Sequence, residues 1–313
     1  MRTQNQSELR PNINVREEER ARFSSFLNEL GEQGRAAKTI GSYRSDWLGF
    51  TDWYEGRSKS PFAVIDLTVE TVKQYRDSLV EQGLKPATVN RKLVFLKRYS
   101  KWSTERGFLT EVMNHSIKRV KPVAQAPRQP RGLSELELKR FLREVEMRAS
   151  VRDQAIVYTL LESGMRVSEI VKLHSSEVIE TGRKVTLIVD DIRPHGIRTR
   201  RITINGTAKR KLLQYLIERG TRPGFVFQGE RGPLTANAVQ RIVRKYCGFA
   251  KVKVCPSVLR HTFANMFLAR EGDVVALADL LGHESLETTR LYIHSKQTPV
   301  MPAQPDWSKS WDV

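Results

Sequence analysis

Three side chains in the second half of the chain, Arg260, His283 and Tyr292, are of types that can act together on a phosphodiester. Arg260 lies in Leu259-Arg260-His261-Thr262-Phe263-Ala264, His283 ends Leu280-Leu281-Gly282-His283, and Tyr292 follows Thr288-Thr289-Arg290-Leu291 nine residues after that histidine. A planar guanidinium donates paired hydrogen bonds to nonbridging phosphate oxygens, where phosphoryl transfer concentrates negative charge. A phenol can attack phosphorus and later be displaced, which keeps the energy of a cut phosphodiester in a protein-bound ester. A histidine beside them donates to the same phosphate or manages the phenolic proton. Taken singly, each residue also fits a packing role: a half-buried tyrosine, an arginine lying on its own helix, a capping histidine. Their grouping within residues 257–294 is what packing explains poorly.

The elements that must position these groups are mostly helical. Phe23, Phe26, Leu27 and Leu30 recur at helical spacing from Arg16 onward, after a polar stretch, residues 1–15, that reads as a loose arm. Residues 39–54 form a second helix with Ile40, Tyr43, Trp47 and Phe50 inward and Arg44 and Asp46 outward. Thr68 is the N-cap of a third, and residues 88–106 give a fourth whose Val89, Leu93, Leu96 and Tyr99 oppose a cationic side. Residues 118–131 hold five basic residues, three prolines and no acid, which suits an extended linker able to lie across phosphates. Beyond it Ser134 and Glu137 form a capping box, and residues 152–162 make an apolar helix that ends at Ser163-Gly164-Met165, with Arg166 at the junction to the next. Residues 185–189 and 201–204 are rich in β-branched side chains, and Pro194-His195-Gly196 between them reads as a hairpin loop. Glu169, three residues after Arg166 and on a neighbouring helical face, is placed to orient the site or to make a surface ion pair.

Charge narrows the partner. The chain of 313 residues carries 53 Lys and Arg against 35 Asp and Glu, a formal +18, and self-repulsion at that level is relieved by a polyanion. Nucleic acid leads, with an anionic membrane surface or RNA as the alternatives charge cannot separate. The cations expected to meet backbone phosphates are Arg44, Arg91, Lys92, Lys97, Arg98, Lys121, Arg200, Arg241, Arg244 and Lys245. Two cysteines, Cys247 and Cys255, are too few for a disulfide framework or a zinc site. No apolar run is long enough for a bilayer span, and the polar N-terminus lacks a signal-peptide core, so a location in the cytoplasm, with the nucleoid, is expected.

These motifs together carry a resemblance. Residues 163–170 (SGMRVSEI) resemble the first-arginine box of tyrosine recombinases of the phage integrase and Xer type, residues 259–264 the second-arginine box, 281–285 (LGHES) the late histidine and 288–294 (TTRLYIH) the tyrosine box. Upstream, residues 39–46 and 85–93 are similar to that family's helical core-binding domain. The resemblance implies a mainly α fold: a SAM-like helical DNA-binding domain over 16–117, the linker 118–131, a mixed α/β catalytic domain over 132–295 with a small antiparallel hairpin or sheet, and a tail over 296–313. It implies strand cleavage through a 3′-phosphotyrosyl ester on Tyr292, a phosphate clamp of Arg166 and Arg260, and His283 as donor. No metal or nucleotide cofactor is expected. The implied partners are a double-stranded recombination site, a homotetramer passing through a Holliday junction, and accessory DNA-bending proteins. A role in integration or transposition of a mobile element and one in chromosome maintenance both fit.

Two positions depart from the family pattern. Ser257 stands where the family usually has a histidine, and Ile192 to Ile204 contains no lysine where the family has a hairpin lysine as general acid. His195 has the better pKa for that role, Arg198 is a poor proton donor at neutral pH, and Lys184 qualifies only in a different hairpin register. Those departures keep open a DNA-binding architectural relative without turnover. A type IB topoisomerase, which shares the phosphate clamp, is the other alternative.

Overall fold

The computed structural model describes residues 9–125, 130–193, 196–220, 223–230 and 232–293. The chain divides into two compact units, Met1–Pro127 and Arg128–Val313.

The first unit is helical. It contains α1 (Leu9–Glu32), α2 (Ala37–Ser58), α3 (Val69–Glu81), α4 (Pro86–Glu105) and α5 (Glu111–Lys118). Helix α1 begins at Leu9, ahead of the expected start near Arg16. The first turn of a helix has backbone amides with no intrahelical acceptor to lose, so a start there is compatible with the proline-containing sequence of α1. Thr68 caps α3 by accepting from the Thr71 amide, and Thr110 caps α5, a short helix that the apolar spacing did not announce. The core is aromatic: Phe23 stacks on Trp47 at 4.6 Å, and Tyr99 and Trp102 each meet the Phe26 ring edge to face.

Two expectations change here. Asp46, read as solvent-facing, is 1% exposed. Arg91 grips its carboxylate with both terminal nitrogens, and Lys92 Nζ lies 3.2 Å from Oδ1, so a buried charge is matched by two cations from α4. The stretch after α5 is no free linker at its start: Val120 is 2% exposed, its carbonyl accepts from Lys97 Nζ at 2.6 Å, and the Val123 backbone is held by both side-chain ends of Asn90.

The second unit wraps its core around α7 (Val151–Ser163), in which Ala155, Ile156, Val157 and Leu160 are fully buried. Around it lie α6 (Glu135–Arg148), α8 (Val167–Ile170), α9 (Gly206–Arg219), α10 (Ala236–Ala250), α11 (Pro256–Arg270), α12 (Val274–Leu281) and α13 (Leu286–Ile293). The Ser134–Glu137 capping box is formed. The strands β1 (Val178–Thr181), β2 (Lys184–Arg193) and β3 (Gly196–Ile204) make an antiparallel sheet in that order, one strand wider than the expected hairpin, and β4 (Gln228–Gly229) pairs with β5 (Gly232–Pro233). The β2–β3 register sets Val185 opposite Ile204 and Val189 opposite Arg200. Alternation then puts Arg200 on the same inward face as Ile202 and Ile204, which decides its fate below. Among the described residues no helix is long and apolar enough to cross a membrane.

The Asp46 network predicts a stability effect. Asp46→Ala leaves two cations facing a site with no acid. Because Arg91 is 45% exposed and water screens it, the expected loss is about 2–3 kcal/mol, below the cost of breaking a fully buried pair. Urea unfolding followed by the fluorescence of Trp47, Trp53 and Trp102 should show an earlier midpoint, and an unchanged midpoint would refute the assignment.

Candidate active site

The site is assembled on the C-terminus of one helix. An α-helix ends with backbone carbonyls that lack intrahelical donors and carry the negative end of its dipole. In α12 three arginines from three other elements take successive carbonyls at this end. Arg200 Nε donates to the Leu280 oxygen at 2.9 Å, Arg260 Nη2 to the Leu281 oxygen at 2.7 Å, and Arg166 Nη2 to the Gly282 oxygen at 3.1 Å. Gly282 closes the helix in the left-handed conformation, φ 66°. It also makes room: a Cβ there would lie 3.0 Å from Arg200 Nη1 and 3.6 Å from Arg166 Nη1.

Each arginine has a second anchor. Arg260, near the start of α11, donates to the Gly164 carbonyl at 2.6 Å and is 7% exposed. Arg166 precedes α8; its amide donates to Glu169 Oε2 at 2.7 Å and its Nη1 to Glu169 Oε1 at 2.8 Å. Arg200 Nη2 reaches the same Glu169 Oε2 at 2.6 Å. One carboxylate is thus shared by two guanidiniums while a third cation stands beside them, leaving positive charge in surplus. Burial and the neighbouring Arg166 pull the Arg260 guanidinium down to about 10, still charged at neutral pH. For Glu169, burial alone would raise its pKa, but Arg200 and then Arg166 hold it below 4.5. Arg200 Nη1 is buried without a hydrogen-bond partner.

Tyr292, on α13, is 5% exposed and packs with Ala264, Leu277 and Leu281. Burial pushes its phenol up, opposed by the charges of Arg260 and Arg166. Its oxygen lies 2.7 Å from His261 Nδ1. The His283 ring is nearly parallel to the phenol ring, 6.4 Å away, and its Nδ1 pairs with the Thr289 hydroxyl at 2.7 Å. With Thr289 donating, the ring hydrogen sits on Nε2, the edge left to meet an incoming group. Burial first, then Arg260, Arg166 and Arg200, push His283 down to about 4, so the free protein holds it neutral.

Clefts open on both sides of Arg166. The larger, about 600 Å³, is lined by Glu169, Gly282, His283 and Thr288 together with Asp190 and Asp191. The smaller, about 370 Å³, is lined by Arg260, Ser257, Cys255 and Arg244. The exposed Ser257 hydroxyl pairs with the Cys255 thiol at 3.1 Å.

The structure therefore brings Arg166, Glu169, Arg260, His283 and Tyr292 together. It also adds two residues that the sequence reading placed elsewhere or passed over. Arg200 was expected to meet DNA at the surface, but it is 8% exposed because strand alternation points it inward, and its Nε and Nη2 are bound to α12 and Glu169. The pattern Arg200, Ile202, Ile204 carried that signal. His261 lies inside the Leu259–Ala264 motif, and no local pattern announces its pairing with a tyrosine 31 residues away. Arg198 pairs with Asp279 at 2.6 Å, which occupies it outside the clamp. Lys184 opens β2 at the other hairpin, opposite Thr181; five residues separate it from Val189, the partner of Arg200, or roughly 16 Å of strand, so the register keeps it away. His195 lies outside the described residues, as do residues 1–8, 126–129 and the tail from 294. Of the expected phosphate contacts, Arg44, Lys121, Arg241, Arg244 and Lys245 are exposed and Arg98 is half-buried. Lys97 is half-buried and, like Arg91 and Lys92, has an internal partner.

A helical unit followed by a helical unit with a small antiparallel sheet, holding an arginine clamp beside a tyrosine, is the build of a tyrosine-type site-specific recombinase. Residues 131–298 match the phage integrase family and residues 23–107 its N-terminal SAM-like domain, and the chain belongs to that family. It is 32% identical over 295 residues to a tyrosine recombinase XerC of Roseiflexus castenholzii, spanning 88% of this chain and 90% of that one. A tyrosine recombinase XerD of Rhizobium meliloti is 28% identical over 292 residues, covering 88% and 90% of the two chains. Among solved structures, the XerH recombinase bound to a palindromic difH substrate in a post-cleavage complex superposes with a TM-score of 0.71 at 20% identity, over 88% of this chain and 82% of that one. A lambda integrase tetramer bound to a Holliday junction gives 0.64 at 17% identity, over 85% and 77%. At these identities the structures show likeness of fold.

Two outcomes follow from the clamp. Because Glu169 titrates below its ordinary 4.5, its stabilisation is fully present above that value and is lost as pH falls through the depressed one. Thermal unfolding of wild type should lose stability faster than Glu169→Gln as pH drops below 4.5, and parallel curves would contradict the shared ion pair. Gly282→Ala sets a Cβ 3.0 Å from Arg200 Nη1 in a left-handed backbone, so a loss of roughly 1–3 kcal/mol is expected by thermal melting, and a neutral effect would contradict the close approach.

Proposed function

We propose that the protein exchanges DNA strands at a specific duplex site through a 3′-phosphotyrosyl ester on Tyr292. The observation that carries this reading is the convergence of Arg166, Arg200 and Arg260 on three successive carbonyls at the end of α12, with the single carboxylate of Glu169 shared by two of them, beside the phenol of Tyr292. A phosphodiester supplies the missing anion. Arg166 and Arg260 donate to its nonbridging oxygens, and His283, neutral in the free protein, adds a third donor in the tautomer that carries its hydrogen on Nε2. Removing one such donor typically costs on the order of 3 kcal/mol of barrier.

Charge adds to the case: +18 overall, with exposed Arg44, Lys121, Arg241, Arg244 and Lys245, suits a duplex whose affinity falls steeply with salt. The relatives are named as recombinases, and one structural neighbour is a tetramer on a Holliday junction. By analogy four protomers of this chain hold two duplexes and exchange one pair of strands, then the other, within the cell interior.

The test uses a pool of nicked duplexes with a randomised core, in which cleavage releases a short fragment and traps the ester. Wild type is expected to yield a denaturation-resistant adduct on a selected sequence, with Tyr292→Phe yielding none and Arg260→Ala at least a hundredfold less. No adduct from wild type, or an equal adduct from Tyr292→Phe, would sink the reading. Relaxation of supercoiled plasmid lacking the selected site should stay weak, and robust relaxation would favour a topoisomerase.

A further inference from the structure

We propose that His261 is the general base that removes the phenolic proton of Tyr292. The role rests on the strand-exchange reading above and supplies a step that reading leaves without an actor. The observation is direct: His261 Nδ1 and the Tyr292 oxygen are 2.7 Å apart, with the rings tilted at 50° and their centroids 5.6 Å apart. This is proton-transfer distance before any substrate arrives.

Position 257 holds a serine whose hydroxyl pairs with the Cys255 thiol at 3.1 Å, so it supplies no imidazole. His261 lies four residues further along α11, so one helical turn places it on the same face as Ser257. The other nearby imidazole, His283, has its Nδ1 held by Thr289. His261 is also fixed from both sides along α11. Arg260 is clamped to the Gly164 and Leu281 carbonyls, and the Thr262 hydroxyl donates to the Val258 carbonyl at 2.9 Å and accepts from the Leu133 amide at 2.8 Å.

The charge state suits the role. The ionisable groups facing His261 are Arg260 on its own helix, Tyr292 on α13 and His283 after α12. Burial and then Arg260 lower the His261 pKa below 6.5, while burial keeps the phenol above 10, so a neutral imidazole meets a protonated phenol at neutral pH. With its ring hydrogen on Nε2, Nδ1 accepts from the phenol. As the phenolic oxygen bonds to phosphorus, its proton passes to Nδ1. The bond from phosphorus to the 5′ oxygen breaks, its electron pair stays on that oxygen, and the oxygen leaves with a proton drawn from water. On religation an incoming 5′ hydroxyl returns its proton to the hydroxide left in the solvent, bonds to phosphorus and displaces the phenolate, which recovers the proton from His261.

The experiment compares adduct formation by wild type and His261→Asn on the selected nicked duplex across pH, below saturation so that the free protein is reported. The asparagine places a hydrogen-bonding atom near Nδ1 but cannot take a proton. Wild-type rates are expected to be level between the ordinary histidine and tyrosine values of 6.5 and 10 and to fall in acid, as His261 becomes charged. His261→Asn should be slower by about a hundredfold at neutral pH, with a rate that climbs as pH rises because the phenol must ionise into water. The defect should persist on a duplex carrying a 5′-bridging sulfur, a leaving group that needs no acid.

A His261→Asn rate within threefold of wild type, a slower rate with the wild-type pH profile, or a defect erased by the bridging sulfur would each overturn the assignment. Should His261→Asn fail to fold, the wild-type profile decides, since a rate rising continuously from 6.5 toward 10 shows that no neutral base takes the proton. Absence of adduct from wild type would instead indict the strand-exchange reading itself.

Discussion

Three guanidinium groups bound to three successive carbonyls at the end of α12 are the constraint on which the second unit's site depends. They tie the Arg166 junction, strand β3 and helix α11 to one short helix of eight residues, and that helix leads directly into His283 and α13. A charge-assisted hydrogen bond contributes about 1.5–3 kcal/mol, whereas desolvating a charged group costs several kcal/mol. The carbonyls and the single shared Glu169 therefore offset much of the cost of burying the cations before a phosphate arrives. That is a useful poise for a phosphate site: the donors are held in place, and the largest electrostatic gain remains for the charge that develops in the reaction.

The same constraint explains why the glycines at 164 and 282 recur at the site. Gly164 offers its carbonyl to Arg260 in a left-handed turn where a Cβ would strike the Phe263 ring at 2.4 Å, and Gly282 admits Arg200 and Arg166 against the helix end. Glu169 completes the arrangement from the first turn of α8 by capping the amide of Arg166 while pairing with its side chain. Two local motifs, a helix start and a helix end, are thus joined by side chains into one pocket.

Much of this was legible in the sequence, and the reason is periodicity. Thr68 and Ser134 announced helix starts, the β-branched runs announced β2 and β3, and the boxes around Arg166, Arg260, His283 and Tyr292 stood out by residue type and spacing. What stayed hidden depends on pairs far apart in the chain. Asp46 was read as solvent-facing because its partners Arg91 and Lys92 lie 45 and 46 residues away, and a carboxylate on a helix gives no local sign of them. Arg200 was read as a surface cation because arginine type outweighed the alternation that turned it inward. The role of α12 was invisible for a further reason: it acts through backbone carbonyls, which every sequence has.

The central claim is that this pocket makes Tyr292 a nucleophile toward a DNA phosphate. Nuclease digestion of the trapped adduct followed by peptide mass spectrometry tests it most directly. The account predicts a nucleotide joined through its 3′ phosphate to the peptide carrying Tyr292. An unmodified Tyr292 peptide, an adduct on another residue, or attachment through a 5′ phosphate would contradict it.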